Sequence, residues 1–117
     1  MITLTTIKEK NMITAILTYK GTKENLNSFV KEMISTSTIE QIRKEEGNIR
    51  YEYFYPISDE NRLVLIDSWK DQKSLDFHHK SKMMETISKL RKKYDLHMEV
   101  EKYISLDDNS DEKYIRK

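Results

Sequence analysis

The chain has 117 residues, of which 37% are hydrophobic and 35% are charged, and its 21 basic and 20 acidic residues leave a net charge of +1. This length predicts one domain, and so small a net charge excludes a global field that would steer the chain to nucleic acid or to a membrane surface. The absence of cysteine excludes disulfides, thiolate metal sites and cysteine nucleophiles, and two glycines leave no glycine-rich phosphate loop.

No apolar run approaches the ~18 residues of a membrane-spanning helix. We therefore expect a soluble cytoplasmic protein without a membrane or nucleic-acid partner.

The first half of the core domain predicts a strand and an interrupted helix. Residues 1–11 alternate only weakly and are expected to form an N-terminal extension. The core domain is expected to begin at Met12, because MITAILTY alternates and is rich in β-branched residues. Thr22 is a suitable helix N-cap. The apolar stripe that follows has the spacing of a helix lying on a core: Leu26, Phe29, Val30, Met33 and Ile34. The stripe changes phase across Ser35–Thr38, which predicts a break before the helix resumes and stops at Gly47.

A β-hairpin is predicted next. Strand Ile49–Tyr55 places Tyr51 and Tyr53 on one face, and the returning strand Arg62–Trp69 is apolar on both faces at its centre, Leu63–Ile66. An antiparallel strand with one wet face alternates instead. Both faces are therefore expected to be covered, and the helices of one chain suffice for one face only. We expect a second copy of the sheet on the other face, and hence a homodimer.

The rest of the chain predicts two helices and a last strand. A short helix spans Gln72–Lys80, a second helix follows it, and Leu96–Leu106 forms the strand. The order strand, helix, strand, strand, helix pair, strand is the split β-α-β of ferredoxin-like folds. We therefore predict an α+β domain over residues 12–106 with a four-stranded antiparallel sheet, followed by an acidic mobile tail at residues 107–117.

Three side chains of the hairpin and one histidine of the short helix are candidates for a functional site. Trp69 is either a core residue or an aromatic wall for stacking a flat ring. Asp67 lies two residues earlier on the same face, and an inward carboxylate there requires an ion pair, a role as a base or a ligand contact. Tyr53 is either a cross-strand partner or part of a ligand pocket.

The two adjacent histidines, His78 and His79, project about 100° apart on a helix and cannot bind one ion together, so no metal site is expected. One of them is expected to face inward. An inward histidine is either a core residue with satisfied hydrogen bonds or, if it faces a cavity, a group for proton transfer near neutral pH.

These positions resemble the antibiotic biosynthesis monooxygenase (ABM) domain family, which shares the dimeric α+β barrel fold. The resemblance covers roughly residues 12–105. It rests on Tyr19-Lys20-Gly21, Glu45-Glu46-Gly47, the strand Arg62–Trp69, Asp71, Leu75, His78 and Ser81. Asp67 matches the family's acidic residue two positions before the tryptophan, and His78 matches the histidine on its short helix. Met83 replaces a second histidine that is frequent in the family.

The resemblance implies two ferredoxin-like subunits whose sheets face each other, each with a pocket between sheet and helices. It also implies a quinol monooxygenase-like activity that uses molecular oxygen on a small aromatic substrate such as a quinol or polyphenol, with no metal or flavin cofactor. In that hypothesis His78 transfers the proton, Asp67 and Tyr53 orient the substrate, and Trp69 stacks on its ring.

Two other functions stay open at this stage. One is the isomerisation of a small phosphorylated metabolite, for which Arg50 or Arg62 would supply a cationic subsite. The other is a ligand-binding or stress-response dimer without catalysis. A cavity lined by aromatic residues would favour the monooxygenase, and one lined by arginine and lysine would favour the isomerase. A filled core would favour the ligand-binding or stress-response dimer.

Overall fold

Four strands and four helices follow one another in the order that the sequence predicts. The computed structural model describes residues 12–117, so the predicted extension at residues 1–11 lies outside the described residues. The elements are β1 (Ile13–Lys20), α1 (Lys23–Ser35), α2 (Thr38–Arg43), β2 (Asn48–Phe54), β3 (Arg62–Trp69), α3 (Gln72–His79), α4 (Lys82–Lys93) and β4 (His97–Ile104).

The strands form one antiparallel sheet in the order β2-β3-β1-β4. This order, with helices between the first and second and the third and fourth strands, is that of a ferredoxin-like fold. The predicted α+β class and four-stranded antiparallel sheet are confirmed.

The core lies between one face of the sheet and the helices. Burial alternates along β1, because successive side chains of a strand point to opposite faces. Tyr19 and Trp69 are fully buried at the two ends of the covered face. The core also includes Leu17, Leu65, Leu26, Phe29, Met33, Ile42, Leu75, Ile87 and Leu90.

The opposite face of the sheet is apolar at its centre. Ile16, Val64 and Ile66 are half-buried there, Phe54 is 38% exposed, and none of the four belongs to the core. Ile16 pairs with Ile66 and Phe54 with Val64, so the four side chains form one patch.

The helical region differs from the sequence prediction in two places. The buried residues of α1 are Leu26, Phe29 and Met33, whereas Ile34 is 62% exposed rather than part of the core stripe. The predicted break is present: Ser37 adopts the left-handed conformation, φ 59°, between α1 and α2. The second helix ends at Arg43 instead of continuing to Gly47, which has a φ of +84° in the turn before β2.

The C-terminal end of the described chain makes few packing contacts with the domain. The predicted tail, residues 107–117, is exposed throughout and contains one 3-10 turn at Glu112–Tyr114; its mobility stays a prediction. Between residues 12 and 117, no helix is long and apolar enough to cross a membrane.

Candidate active site

A cavity of about 290 Å³ opens between the sheet and the layer formed by α3 and α4. Most of its wall is aliphatic. The polar side chains that reach it are Tyr51, Asp67, His78, His79, Arg91 and Lys102. The wall is therefore neither mainly aromatic nor mainly cationic, and the core is not filled.

The register of the strands places Asp67 and three neighbouring side chains on the cavity side of the sheet. Asp67 on β3 pairs with Ala15 of β1 and with Tyr51 of β2, and Ala15 pairs in turn with Lys102 of β4. All four side chains point to the same face because directly paired residues of antiparallel strands share a face. One row across the sheet thus places a carboxylate, a phenol and an amine at the same level.

The start of α3 decides which histidine faces inward. The Asp71 side chain accepts a hydrogen bond from the Ser74 backbone N–H at 2.8 Å, which fixes the first turn of the helix. His78 then lies three residues after the buried Leu75 on the same side, and His79 turns outward and is exposed. The inward histidine is His78, which is 2% exposed.

A buried glutamate holds the His78 ring. Glu45, in the turn between α2 and β2, brings its Oε2 to 2.6 Å from His78 Nδ1, and the two side chains are 8% and 3% exposed. Trp69 stacks on the imidazole with ring centroids 4.7 Å apart and an interplanar angle of 28°. Carboxylate and indole together fix the orientation of the ring. Its Nε2 takes no hydrogen bond from residues 12–117, and His78 lines the cavity.

Burial changes the pKa values of both Glu45 and His78. It raises the pKa of Glu45 to about 7. Burial also lowers the pKa of His78 to about 4, with the positive charges of His79 and Arg91 acting in the same direction. The imidazole is therefore neutral at pH 7. When Glu45 is ionised it accepts a hydrogen bond from Nδ1–H, which leaves the Nε2 lone pair of the neutral imidazole available as a base.

Asp67 is the second buried carboxyl group and is 5% exposed. Trp69 Nε1 donates a hydrogen bond of 2.7 Å to its Oδ1. Burial raises the pKa of Asp67 to about 7, although the Trp69 hydrogen bond opposes this, and the Glu45 charge raises the pKa further. The other carboxyl oxygen has no hydrogen-bond partner in the part of the chain that the structure describes. Asp67 thus presents a group that gains and loses a proton near pH 7.

Arg91 marks the other end of the cavity. Its Nε donates to the hydroxyl of Tyr19 at 3.0 Å, and its guanidinium carbon lies 5.5 Å from the centroid of the Tyr19 ring. Burial raises the pKa of Tyr19, so this phenol stays neutral. Lys102 donates to Gln72 at 2.5 Å on the rim.

The structure brings only two of the four predicted site residues to the cavity wall. His78 and Asp67 line it, whereas Trp69 is fully buried behind both of them. Tyr53 lies behind Tyr51, and their hydroxyl groups are 3.0 Å apart. Substrate contact by Trp69 and by Tyr53 stays a prediction.

The arginines considered for a phosphate subsite lie elsewhere. Arg50 pairs with Ser68 in the sheet, on the face away from the cavity, and its Nε is 2.9 Å from Glu52 Oε1. Arg62 forms an ion pair of 3.1 Å with Asp59. Neither lines this cavity, so a cationic subsite at Arg50 or Arg62 stays a prediction.

Sequence reasoning missed Arg91 and Tyr51 as cavity-lining residues and Glu45 as the partner of His78. Glu45 lies near the end of the predicted helix, and Arg91 is one of three basic residues in the last turn of α4, where cations complement the helix dipole. Tyr51 shares a face with Tyr53 and could have been found from that alternation. Glu45 and His78 are 33 residues apart, and no periodic signal links them.

A larger groove, about 560 Å³, lies on the outer side of α3. Its charged lining residues, among them Glu46, Lys73, Asp76 and Lys80, are exposed to solvent. It holds no buried ionisable side chain among the described residues, whereas the smaller cavity is lined by the buried Asp67 and His78. Across residues 12–117 no group of three His, Cys, Asp or Glu side chains is placed to hold a metal ion.

Fold and site together define a ferredoxin-like α+β protein with a small apolar cavity and a buried histidine–carboxyl pair. Residues 12–90 match the family model described as antibiotic biosynthesis monooxygenase, and the chain belongs to this family. It is similar to "Putative monooxygenase YcnE" of Bacillus subtilis (strain 168), with 33% identity over 58 residues, which are 50% of this chain and 59% of that relative. The match therefore spans about three fifths of the length of that curated relative.

Solved structures share the fold. A conserved protein from Methanosarcina mazei Go1 has 27% identity and a TM-score of 0.71, covering 81% of this chain and 93% of that one. SnoaB from Streptomyces nogalater, a cofactor-independent oxygenase, has 12% identity and a TM-score of 0.68, covering 86% and 98%. Family membership supports a monooxygenase-type function for this chain.

Proposed function

We propose that this protein is a cofactor-independent monooxygenase that oxidises a small quinol or polyphenol with molecular oxygen, as a cytoplasmic homodimer. The observation that carries the proposal is the buried pair of His78 and Glu45, because His78 lines a largely aliphatic cavity beside Asp67 and its Nε2 takes no hydrogen bond from residues 12–117. A base of this kind removes a phenolic proton, and a dry cavity protects the anion that results.

The substrate supplies all the electrons in this reaction. His78 Nε2 takes the proton of a phenolic hydroxyl group, and the electron-rich phenolate reduces oxygen and forms a carbon–oxygen bond to it. The protonated histidine returns its proton to the outer oxygen of the resulting peroxide. The ring carbon that bonded to oxygen then loses its hydrogen as a proton while the bond between the two oxygen atoms breaks, and this proton and the departing hydroxide leave together as water. A quinol and one oxygen molecule thus give a hydroxyquinone and one water molecule.

The remaining site residues act on the base and on the ring. Glu45 and Trp69 orient the imidazole, and Asp67 in its protonated form donates a hydrogen bond to a second oxygen of the substrate. Trp69 acts by packing on His78, because its ring is fully buried. Tyr53 supports the hydroxyl of Tyr51, which lines the cavity.

The proposed dimer covers the outer face of the sheet. The apolar patch of Ile16, Phe54, Val64 and Ile66 has no cover within residues 12–117 and lies on the central strands. Burying it against the same patch of a second copy gives a symmetric interface, the commonest form of homodimer.

The test is oxygen uptake by metal-free protein with a panel of reduced quinols and polyphenols, against autoxidation without protein. His78→Gln removes the base, and His97→Gln is the matched control because His97 is exposed on β4. We expect uptake above background that is lost in the first variant and kept in the second. Product mass should show one added oxygen atom from labelled oxygen gas.

No uptake above background on any substrate would refute the monooxygenase and favour a ligand-binding protein. Equal uptake by His78→Gln and the unsubstituted protein would refute the role of His78 as the base.

A further inference from the structure

We propose that the substrate carries a carboxylate group, bound by Arg91 at the end of the cavity opposite to His78 and Asp67. The inference rests on the proposed function for the location of the reacting hydroxyl group, and it adds the chemical class of the substrate: a single-ring aromatic acid.

Arg91 is held in place but is not neutralised. Its Nε donates to the buried Tyr19 hydroxyl at 3.0 Å, and the guanidinium also lies against the Tyr19 ring. A neutral phenol fixes the orientation of the side chain and leaves its charge intact. The two terminal amino groups of Arg91 make no hydrogen bond or ion pair within residues 12–117. They form the planar fork that binds carboxylates with two parallel hydrogen bonds.

The strand register sets the distance between the two ends of the cavity. Tyr19, which holds Arg91, pairs with Met98, and Ala15, which is level with Asp67, pairs with Lys102. Four residues of strand separate the two levels, so their Cα atoms lie about 13 Å apart at the usual rise per residue, and the Arg91 charge still acts on Asp67 and His78 across the cavity. One aromatic ring with an acid group and a hydroxyl group at opposite ends, hydrogen-bonded at both, has a suitable length. The volume of about 290 Å³ is at the lower end for ligand pockets and suits one ring.

The charges of the cavity favour a monoanion. Burial keeps His78 neutral at pH 7 and raises the pKa of Asp67 to about 7, so neither group adds a positive charge to the cavity. Lys102 is at the far end on the rim and is bonded to Gln72. One unpaired guanidinium at the Tyr19 end matches one carboxylate, whereas a phosphate dianion would need further cations or donors there.

Binding can be measured without turnover by calorimetry in the absence of oxygen. The probes are 3,4-dihydroxybenzoate, 4-methylcatechol, in which a methyl group replaces the carboxylate, and 4-hydroxyphenyl phosphate. We expect the acid to bind about tenfold or more tightly than the methyl compound, as two charge-assisted hydrogen bonds imply. Arg91→Gln should abolish this preference and Arg91→Lys should keep part of it. Lys92→Gln, on an exposed residue of the same helix, should leave it unchanged.

Equal binding of the acid and the methyl compound by the unsubstituted protein would overturn the inference, whether or not any variant folds. A preference that survives in Arg91→Gln would overturn the role of Arg91, and tighter binding of the phosphate would overturn the carboxylate assignment. The two proposals can be told apart by these experiments. Oxygen uptake with neutral quinols alone would support the monooxygenase and refute the carboxylate-bearing substrate. Selective binding of the acid without oxygen uptake would support the carboxylate site and refute the monooxygenase.

Discussion

Replacing Asp67 by asparagine should stabilise the protein at alkaline pH. The buried carboxyl group has a pKa of about 7 in the folded state, against an ordinary value of 3.8. Because the folded value is the higher one, the stability that Asp67 contributes is fully present below pH ~4 and is lost as the pH rises through 7. Asparagine keeps the shape and the oxygen that accepts the hydrogen bond of Trp69, but it carries no charge at any pH.

The size of the effect follows from the two pKa values. They differ by about 3, and one pKa unit corresponds to about 1.4 kcal/mol, so the upper limit is about 4 kcal/mol. Solvent reaches the cavity beside the exposed Met98 and Val100 and screens part of the charge, so we expect about 2 to 4 kcal/mol. Between pH 4 and pH 8.5 the unfolding free energy of Asp67→Asn should rise by this amount relative to the unsubstituted protein.

Urea denaturation followed by fluorescence measures this difference directly. Trp69 is the single tryptophan of the chain and is fully buried, so its emission reports unfolding. Ser68→Ala is the control, because it removes a buried hydroxyl group next to Asp67 without removing a charge; its difference from the unsubstituted protein should not vary with pH. If the Asp67→Asn difference is also constant, or falls as the pH rises, the assignment of a buried protonated carboxyl group is refuted.

Three other substitutions test the fold and the site. Gly47→Ala places a Cβ atom against the Ser74 side chain at a φ of +84° and should lower the unfolding free energy by about 2 to 4 kcal/mol. Gly21→Ala is the control: its Cβ atom meets only the movable end of a leucine side chain, so the loss should be less than about 1 kcal/mol. Similar losses in the two variants would contradict the strain at Gly47. Ile66→Asp should give a monomer by light scattering, and an unchanged dimer would exclude the outer sheet face as the interface. Glu45→Gln should reduce oxygen uptake about tenfold or more, because the amide of glutamine can donate a hydrogen bond to Nδ1 and leave His78 without a free lone pair. An unchanged rate would show that the Glu45 carboxylate does not orient the base.

The sheet could be predicted from the sequence because its signals are local. The strand Arg62–Trp69 was predicted with the bounds that the structure shows, since a polar turn precedes it, a capping aspartate follows it and its centre is apolar on both faces. Thr22 was likewise predicted as a cap, and it accepts the expected backbone hydrogen bond from Asn25, as Asp71 does from Ser74 at the start of α3. Such signals depend on neighbours within a few residues, where periodicity and capping act.

The site was only half predictable, because its contacts join distant parts of the chain. Asp67 could be placed on the cavity face from its spacing to Trp69, but the choice between His78 and His79 required the helix phase. Glu45 gives no sign in the sequence that its carboxylate turns inward, since an acidic residue near a helix end is usually solvated. Arg91 has the same ambiguity among the basic residues that end α4.

The two walls of the cavity differ in how freely evolution can change them. The groups proposed for proton transfer lie on β3, α3 and the turn before β2, where side chains are buried and substitutions cost folding free energy. The opposite wall includes β4, an edge strand whose eight residues are all exposed. Exposed substitutions usually change stability by less than about 0.5 kcal/mol. Met98 and Val100 can therefore vary without unfolding the domain, so relatives with the same acid–base pair can diverge in the molecules they accept.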